Sequence, residues 1–160
     1  MVEQPSSDNA GVRVFPPAVF IGGLVIGYAL DLVRHVAIAP HAWSLAVRIL
    51  GAVVTAAGLG VMFSALVRFR RLGNRPEPWE PVVHLALDGP YRFTRNPMYL
   101  GMAAVLGGLA LVGNALWPLI AVVPAVLIIR TQVIAREEAY LERRFGDEYR
   151  AFHARVRRWL

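Results

Sequence analysis

Two short stretches concentrate the side chains able to do chemistry. The first is Asp88-Gly89-Pro90-Tyr91-Arg92-Phe93-Thr94-Arg95-Asn96-Pro97-Met98-Tyr99-Leu100-Gly101. Gly-Pro makes a turn, and Asn96 followed by Pro97 is a suitable N-cap and first-turn pair for a helix. Arg95 and Asn96 therefore stand where a helix begins, beside free backbone N–H groups and the positive end of its dipole, which suits an anionic ligand group. Tyr99 falls one turn further in and faces roughly the same place. The second stretch is Arg136-Glu137-Glu138-Ala139-Tyr140-Leu141-Glu142-Arg143-Arg144-Phe145-Gly146. Glu138 and Glu142 are spaced i,i+4, which is mildly unfavourable for like charges. Spacing alone leaves two readings open: a solvated helix face balanced by Arg143 and Arg144, or a ligand site.

The elements that must position these stretches are membrane spans. The chain has 160 residues, 56% of them hydrophobic, and the excess over an ordinary soluble domain is clustered. Pro16 to Leu30, Ile49 to Val67 and Asn96 to Ile129 carry no charge. A span needs roughly 20 residues, which predicts an all-α integral membrane protein with about four transmembrane helices. The first runs from about Phe15 to Val36, with Asp31, Arg34 and His35 at its lower end, and the second from about Ala42 to Val67. The third and fourth form a tight hairpin reversing near Gly113-Asn114, the fourth reaching about Ala135 and interrupted or bent by Pro118 and Pro124. Gly101, Ala103, Ala104, Gly107 and Gly108 let a neighbouring backbone approach the third helix closely. The segment from Arg75 to Pro81, with three prolines, is a stiff interfacial linker with Trp79 as a headgroup-level anchor. Tyr149, Phe152, Val156 and Leu160 recur at helical spacing after Asp147. They predict a C-terminal amphipathic helix that lies on an anionic membrane surface or folds back against the hairpin. The organisation is a tail over residues 1–14 and one membrane domain over 15–160. That domain divides into two N-terminal spans (15–67), a cytoplasmic connection (68–96) and the hairpin with the C-terminal region (97–160).

Charge orients this arrangement. The 17 basic residues are all Arg, against 11 acidic ones. Arginines cluster between spans two and three and again after span four, so the positive-inside rule puts both segments and both termini in the cytoplasm. A secretory leader ending at Ala37-Ile38-Ala39 is disfavoured: charged residues separate the apolar run from that site, and Glu3 and Asp8 spoil a basic leader. Cys is absent, which excludes disulfides, thiolate metal sites and Cys nucleophiles. His35 and His41 fall on the side opposite His84 and His153, without paired spacing, so they read as interfacial histidines and not as haem or metal ligands. No nucleic-acid partner is expected.

Gly-Pro-Tyr-Arg-Phe-Thr-Arg-Asn-Pro-Met-Tyr-Leu-Gly at 89–101, then Glu137-Glu138 and Phe145-Gly146-Asp147-Glu148-Tyr149, resembles the isoprenylcysteine carboxyl methyltransferases and the related phospholipid N-methyltransferases. The family pattern is a G-x-Y-x-x-x-R-H-P-x-Y-x-G stretch, a membrane hairpin, Glu-Glu and an F-G-x-x-Y stretch. The resemblance covers residues 72–160. The family's usual His is Asn96 here, and a basic residue that animal members place shortly before the Glu pair has only Arg130 and Arg136 as nearest candidates. The resemblance implies S-adenosylmethionine-dependent methyl transfer to a lipophilic or lipid-linked acceptor at the cytoplasmic face, in a bacterial inner membrane. The cofactor-binding residues it implies are Gly89, Pro90, Tyr91, Arg95, Asn96, Pro97, Tyr99, Gly101, Glu137, Glu138 and Tyr149. Arg95, Glu137 and Glu138 carry the catalytic roles, and no metal is involved. Arg95 and the helix start would take the cofactor's carboxylate; a glutamate would bind its ribose hydroxyls or ammonium; tyrosines would pack on adenine or the sulfonium. The acceptor can be a carboxylate, an amine or a thiol. Two other classes compete: a membrane reductase of sterol-reductase-like architecture with a nicotinamide cofactor, and a non-catalytic small membrane assembly protein.

Overall fold

A computed structural model describes residues 9–77 and 79–160, and among them it contains no named strand. The helices are α1 (Pro16–Val33), α2 (His41–Arg71), α3 (Pro97–Gly113), α4 (Leu116–Ile128), α5 (Ala135–Phe145) and α6 (Asp147–Arg155), with a 3₁₀ turn at Gly89–Arg92 and a π-helical stretch at Ile129–Ile134. The π stretch joins α4 to α5 in one rod, Leu116–Phe145. α1, α2 and this rod are long and apolar enough to cross a membrane. α3 is apolar too but has 17 residues, about 25 Å of helix, short of the ~30 Å hydrocarbon core. The helix of the fourth predicted span does not end near Ala135 but continues for ten residues as the charged α5, beyond its apolar part. Pro118 falls in the first helical turn, where no N–H is needed, and Pro124 inside α4 does not break the rod.

At one end the two connections clasp each other. Asn114 takes the left-handed conformation (φ 51°) that closes the α3–α4 reversal. Its side chain exchanges two 2.9 Å hydrogen bonds with the Ala39 backbone, accepting at Oδ1 and donating from Nδ2. Leu116 N–H donates to Val36 O at 2.9 Å, and Trp117 Nε1–H to Arg34 O at 2.7 Å. The chemistry-bearing stretches lie at the opposite end.

α3 packs most extensively on α2, not on its hairpin partner α4. Gly51 and Gly58 of α2 meet Gly108 and Gly101 of α3, seven residues apart on both helices, so the antiparallel backbones touch. A Cβ on Gly58 would lie 2.8 Å from Gly101 O and 3.0 Å from Val105 N, and one on Gly108 would collide with Thr55. Of the small residues on α3, Gly101, Ala104 and Gly108 make this contact, while Gly107 faces α4. α1 instead leans on α4, where Gly27 lies against the backbone of Pro118. Residues 9–14, expected as a tail, pack inward: Val12 is 5% exposed in a core with Phe20, Leu106, Ile129 and Val133, and Arg136 Nη1 donates to Gly11 O at 3.2 Å. α6 packs on the body of the protein, chiefly on the end of α2 and the connection before α3 and not on the hairpin as expected. It folds back and buries Tyr149 and Phe152 against Ala65, Ala86 and Tyr91.

The glycine contact predicts a difference between two neighbouring substitutions. Gly58→Ala should lower the thermal midpoint in detergent by the equivalent of roughly 1–3 kcal/mol, because a methyl group is forced into backbone. Gly60→Ala meets open space and should be neutral or slightly stabilising through helix propensity. Equal midpoints for the two variants would mean that α2 and α3 do not touch there.

Candidate functional site

The connection from α2 to α3 is organised by Asn74, 3% exposed. Its Oδ1 accepts from Val83 N–H (2.7 Å) and His84 N–H (3.1 Å), and its Nδ2 donates to His84 O (2.7 Å). The loop so closed lets Val82 N–H donate to Tyr140 Oη at 3.2 Å, tying it to α5. Gly89, at φ +59°, and Pro90 form the turn that delivers Tyr91 into the interior, with its ring 6.4 Å from Phe69. Thr94 to Asn96 then lie against the C-terminal residues. Arg95 N–H donates to Arg157 O, and Thr94 Oγ1 and Asn96 Nδ2 both donate to Arg158 O, each at 3.0 Å. Asn96 thus stands at the N-cap position, but its side chain does not cap α3 as its sequence position suggests. It is turned to the Arg158 carbonyl, and among the described residues α3 has no side-chain cap hydrogen bond at its start.

The two glutamates have separate environments. Glu138, whose side chain is 15% exposed, is held by two guanidinium groups. Arg158 Nε and Nη2 contact its two oxygens at 3.1 and 2.5 Å, and Arg95 Nη2 contacts Oε1 at 3.0 Å. Arg95 also donates from Nη1 to His153 O at 3.1 Å. Glu137 has no such cation: its Oε1 accepts from Tyr99 Oη at 2.6 Å.

Both acids face one cavity of about 570 Å³, within the ~300–1,000 Å³ usual for small-molecule sites. Its polar end is formed by Tyr91, Arg95, Tyr99, Glu137, Glu138 and Tyr149. Its apolar end runs between α1, α2 and α3, past Phe20, Leu24, Met62, Leu66, Val105 and Leu109. Among the described residues, Tyr91 Oη and Arg95 Nε are buried side-chain polar atoms without a hydrogen-bond partner. Unpaired buried groups are costly, so two of them on the wall of one cavity mark where a polar ligand would bind.

Of the residues singled out in the sequence, Tyr91, Arg95, Asn96, Pro97, Tyr99, Glu137, Glu138 and Tyr149 line this cavity. Gly89 and Pro90 shape the turn before it, and Gly101 is pressed on α2. Arg130 and Arg136 do not line it; Arg136 reaches Gly11 instead. Arg158, Asn74 and Tyr140 were not marked by the sequence. The helical spacing runs on to Leu160 and sets Arg158 on the polar side of that helix, whereas α6 ends at Arg155, and Asn74 reads as a turn residue. Among the described residues, no group of three or more His, Asp or Glu could hold a metal ion.

Glu137 lies beyond the apolar part of the rod, in charged α5. Burial raises its carboxyl to about 7, the Tyr99 hydrogen bond opposing and the Glu138 charge adding. Burial, then the Glu137 charge, raises the Tyr91 phenol far above its ordinary value. Tyr149 is pushed up to about 12, by burial and then by Glu138. The native state therefore holds a proton on Glu137 at a pH where the unfolded chain, at about 4.5, has released it. Stability of the ligand-free protein should fall as pH rises from about 4.5 to 7 and level off above, by about 1–3 kcal/mol in all. Glu137→Gln should remove this slope. Thermal midpoints of the two proteins from pH 5 to 8 check it, and parallel curves would count against a buried, titrating Glu137.

The comparisons with known proteins agree with this picture. A Haemophilus influenzae protein described only as uncharacterized is 48% identical over 65 residues, 39% of this chain and the whole of that protein. No solved structure matches the chain. Residues 46–148 match the phospholipid methyltransferase family. That stretch holds most of α2, the glycine contact, α3, the glutamate pair and most of the cavity's polar end, and it is well over half of the sequence. The chain belongs to the phospholipid methyltransferase family, a family of membrane methyltransferases.

Proposed function

We propose that this protein transfers a methyl group from S-adenosylmethionine to a lipophilic acceptor at the cytoplasmic face of the membrane. One observation carries the reading: a single cavity joins a cluster of ionisable and phenolic groups to an apolar chamber between helices. The polar end suits the donor. Arg95, with its unpartnered Nε, and the uncapped start of α3 offer donors to a carboxylate. Glu137 offers an acceptor to ribose hydroxyls or an ammonium, and the faces of Tyr91, Tyr99 and Tyr149 suit adenine or a cationic sulfur. Bound there, the cofactor would supply an electrophilic methyl group on sulfur. The residues chiefly position donor and acceptor for in-line displacement. An amine or thiol acceptor must lose a proton, and Glu137, ionised beside a cationic ligand, can take it; a carboxylate acceptor needs no base. The apolar chamber suits an acceptor tail arriving from the bilayer, because α1 packs chiefly on α4 while α2 packs on α3.

Detergent-purified protein should bind S-adenosylmethionine and its demethylated product with micromolar-scale affinity by calorimetry. Glu137→Gln should weaken binding by roughly 1.5–3 kcal/mol, on the order of 10- to 100-fold, and Arg95→Ala by at least as much. No binding to the folded wild type would remove the methyltransferase reading, and binding of a nicotinamide cofactor in its place would favour a reductase.

Orientation has its own test. The end of the molecule that bears the site carries Arg68, Arg70, Arg71, Arg92, Arg143, Arg144 and Arg150, and the opposite end carries only Arg34 and Arg48. Under the positive-inside rule that bias supports a cytoplasmic site. A cysteine introduced by Ala42→Cys should react with an impermeant thiol reagent in intact spheroplasts, and one introduced by Glu148→Cys only after lysis. The reverse pattern would invert the protein in the membrane.

A further inference from the structure

The Arg158 side chain and main chain both contact residues that line the polar end of the cavity, from just beyond the end of α6. Its guanidinium engages both oxygens of Glu138. Its carbonyl accepts from Thr94 Oγ1 and Asn96 Nδ2. One residue earlier, the Arg157 carbonyl accepts from Arg95 N–H. The six residues so joined, Thr94, Arg95, Asn96, Glu138, Arg157 and Arg158, come from the segment before α3, from α5 and from the chain after α6. None of these segments continues another as one helix, so this brace adds to the direct Arg95–Glu138 contact and the Tyr99–Glu137 hydrogen bond in fixing where Arg95 and Glu138 stand.

The geometry also divides the charge. Arg158 occupies Glu138 in a fork-to-fork pair, the strong and directional mode of guanidinium binding. Arg95 is left with one contact to the same carboxylate, through Nη2, and its Nε stays unpaired on the cavity wall. Without the Arg158 fork, Glu138 would be a largely buried carboxylate with Arg95 as its remaining cation among these three. Such a carboxylate draws a neighbouring guanidinium into a bidentate pair, because an undercompensated buried charge is costly. Arg95 would then turn its free edge to Glu138 and away from the cavity.

We propose that Arg158 is a positioning residue: by holding Glu138 and the 94–96 segment, it keeps Arg95 turned toward the bound ligand. It touches no reacting atom itself. Its effect on affinity rests on the methyltransferase reading; its effect on the 94–96 segment does not.

Two measurements on the full-length protein in detergent separate the two. The first is calorimetric affinity for S-adenosylhomocysteine, taken together with the ligand-free thermal midpoint, for wild type, Arg158→Lys and Arg158→Ala. Lysine keeps the charge but cannot form the fork. Arg158→Lys should keep its midpoint within a few degrees yet lose about 10-fold or more in affinity, and Arg158→Ala should lose more. Wild-type affinity in Arg158→Lys would overturn the proposal. The second is hydrogen exchange in the ligand-free proteins. The Arg95 amide should exchange about 10-fold faster or more in Arg158→Lys, while amides of the α2–α3 glycine contact keep their protection. Unchanged protection at Arg95 would overturn the brace. If the wild type binds no S-adenosylhomocysteine while exchange at Arg95 responds as stated, the methyltransferase reading falls and the brace stands.

Discussion

A carboxylate at the edge of a membrane must be hydrated or paired, and Glu138 is paired twice. Its two guanidinium partners come from segments more than sixty residues apart in sequence, Arg95 before α3 and Arg158 after α6. Satisfying that one charge ties the start of the hairpin, the end of the rod and the chain terminus to a common point. The neighbouring Glu137 can then remain without a cation, hydrogen-bonded to Tyr99 and available to the cavity. Of two adjacent glutamates, one is held by two guanidinium groups and the other by a single phenol.

The apolar part of the fold serves the same end. Water drives no helix association within lipid, so contact there depends on close packing, and the matched glycines of α2 and α3 supply it. α2 is long enough to project beyond the bilayer while α3 is not. The start of α3 is therefore drawn toward the hydrocarbon boundary, with Tyr99 and Arg95 beside it. α1 stands apart on α4, and the chamber lies in the space that results.

Much of this was legible in the sequence because hydropathy and turn chemistry are local. The uncharged runs mark the helices, Gly113-Asn114 marks the reversal, and the order of the Tyr91–Tyr99 and Glu137–Glu138 stretches marks the residues that share the cavity. What was not legible depends on distant partners. The Asn96 side chain is drawn from its helix by a carbonyl near the chain end. Nothing in the spacing around Glu138 indicates that Arg158, twenty residues on, neutralises it. α6 has the pattern of a surface helix, but its aromatic side is claimed by Tyr91 and Ala65. The Val12 contact is likewise invisible without the groove it fills.

The π-helical stretch at Ile129–Ile134 sets an angular phase. Such a stretch accommodates extra main chain within a rod that stays continuous, and it shifts the facing of every residue after it relative to an unbroken α-helix. One residue corresponds to about 100° of rotation. The facing of Glu137 and Glu138 toward the cavity is thus written into main-chain winding upstream of them as well as into their own positions. A chain shortened by one residue within this stretch could keep a regular, well-packed rod and still carry its acids around to the wrong side. In this fold the length of the rod, counted in residues, is itself a determinant of the site.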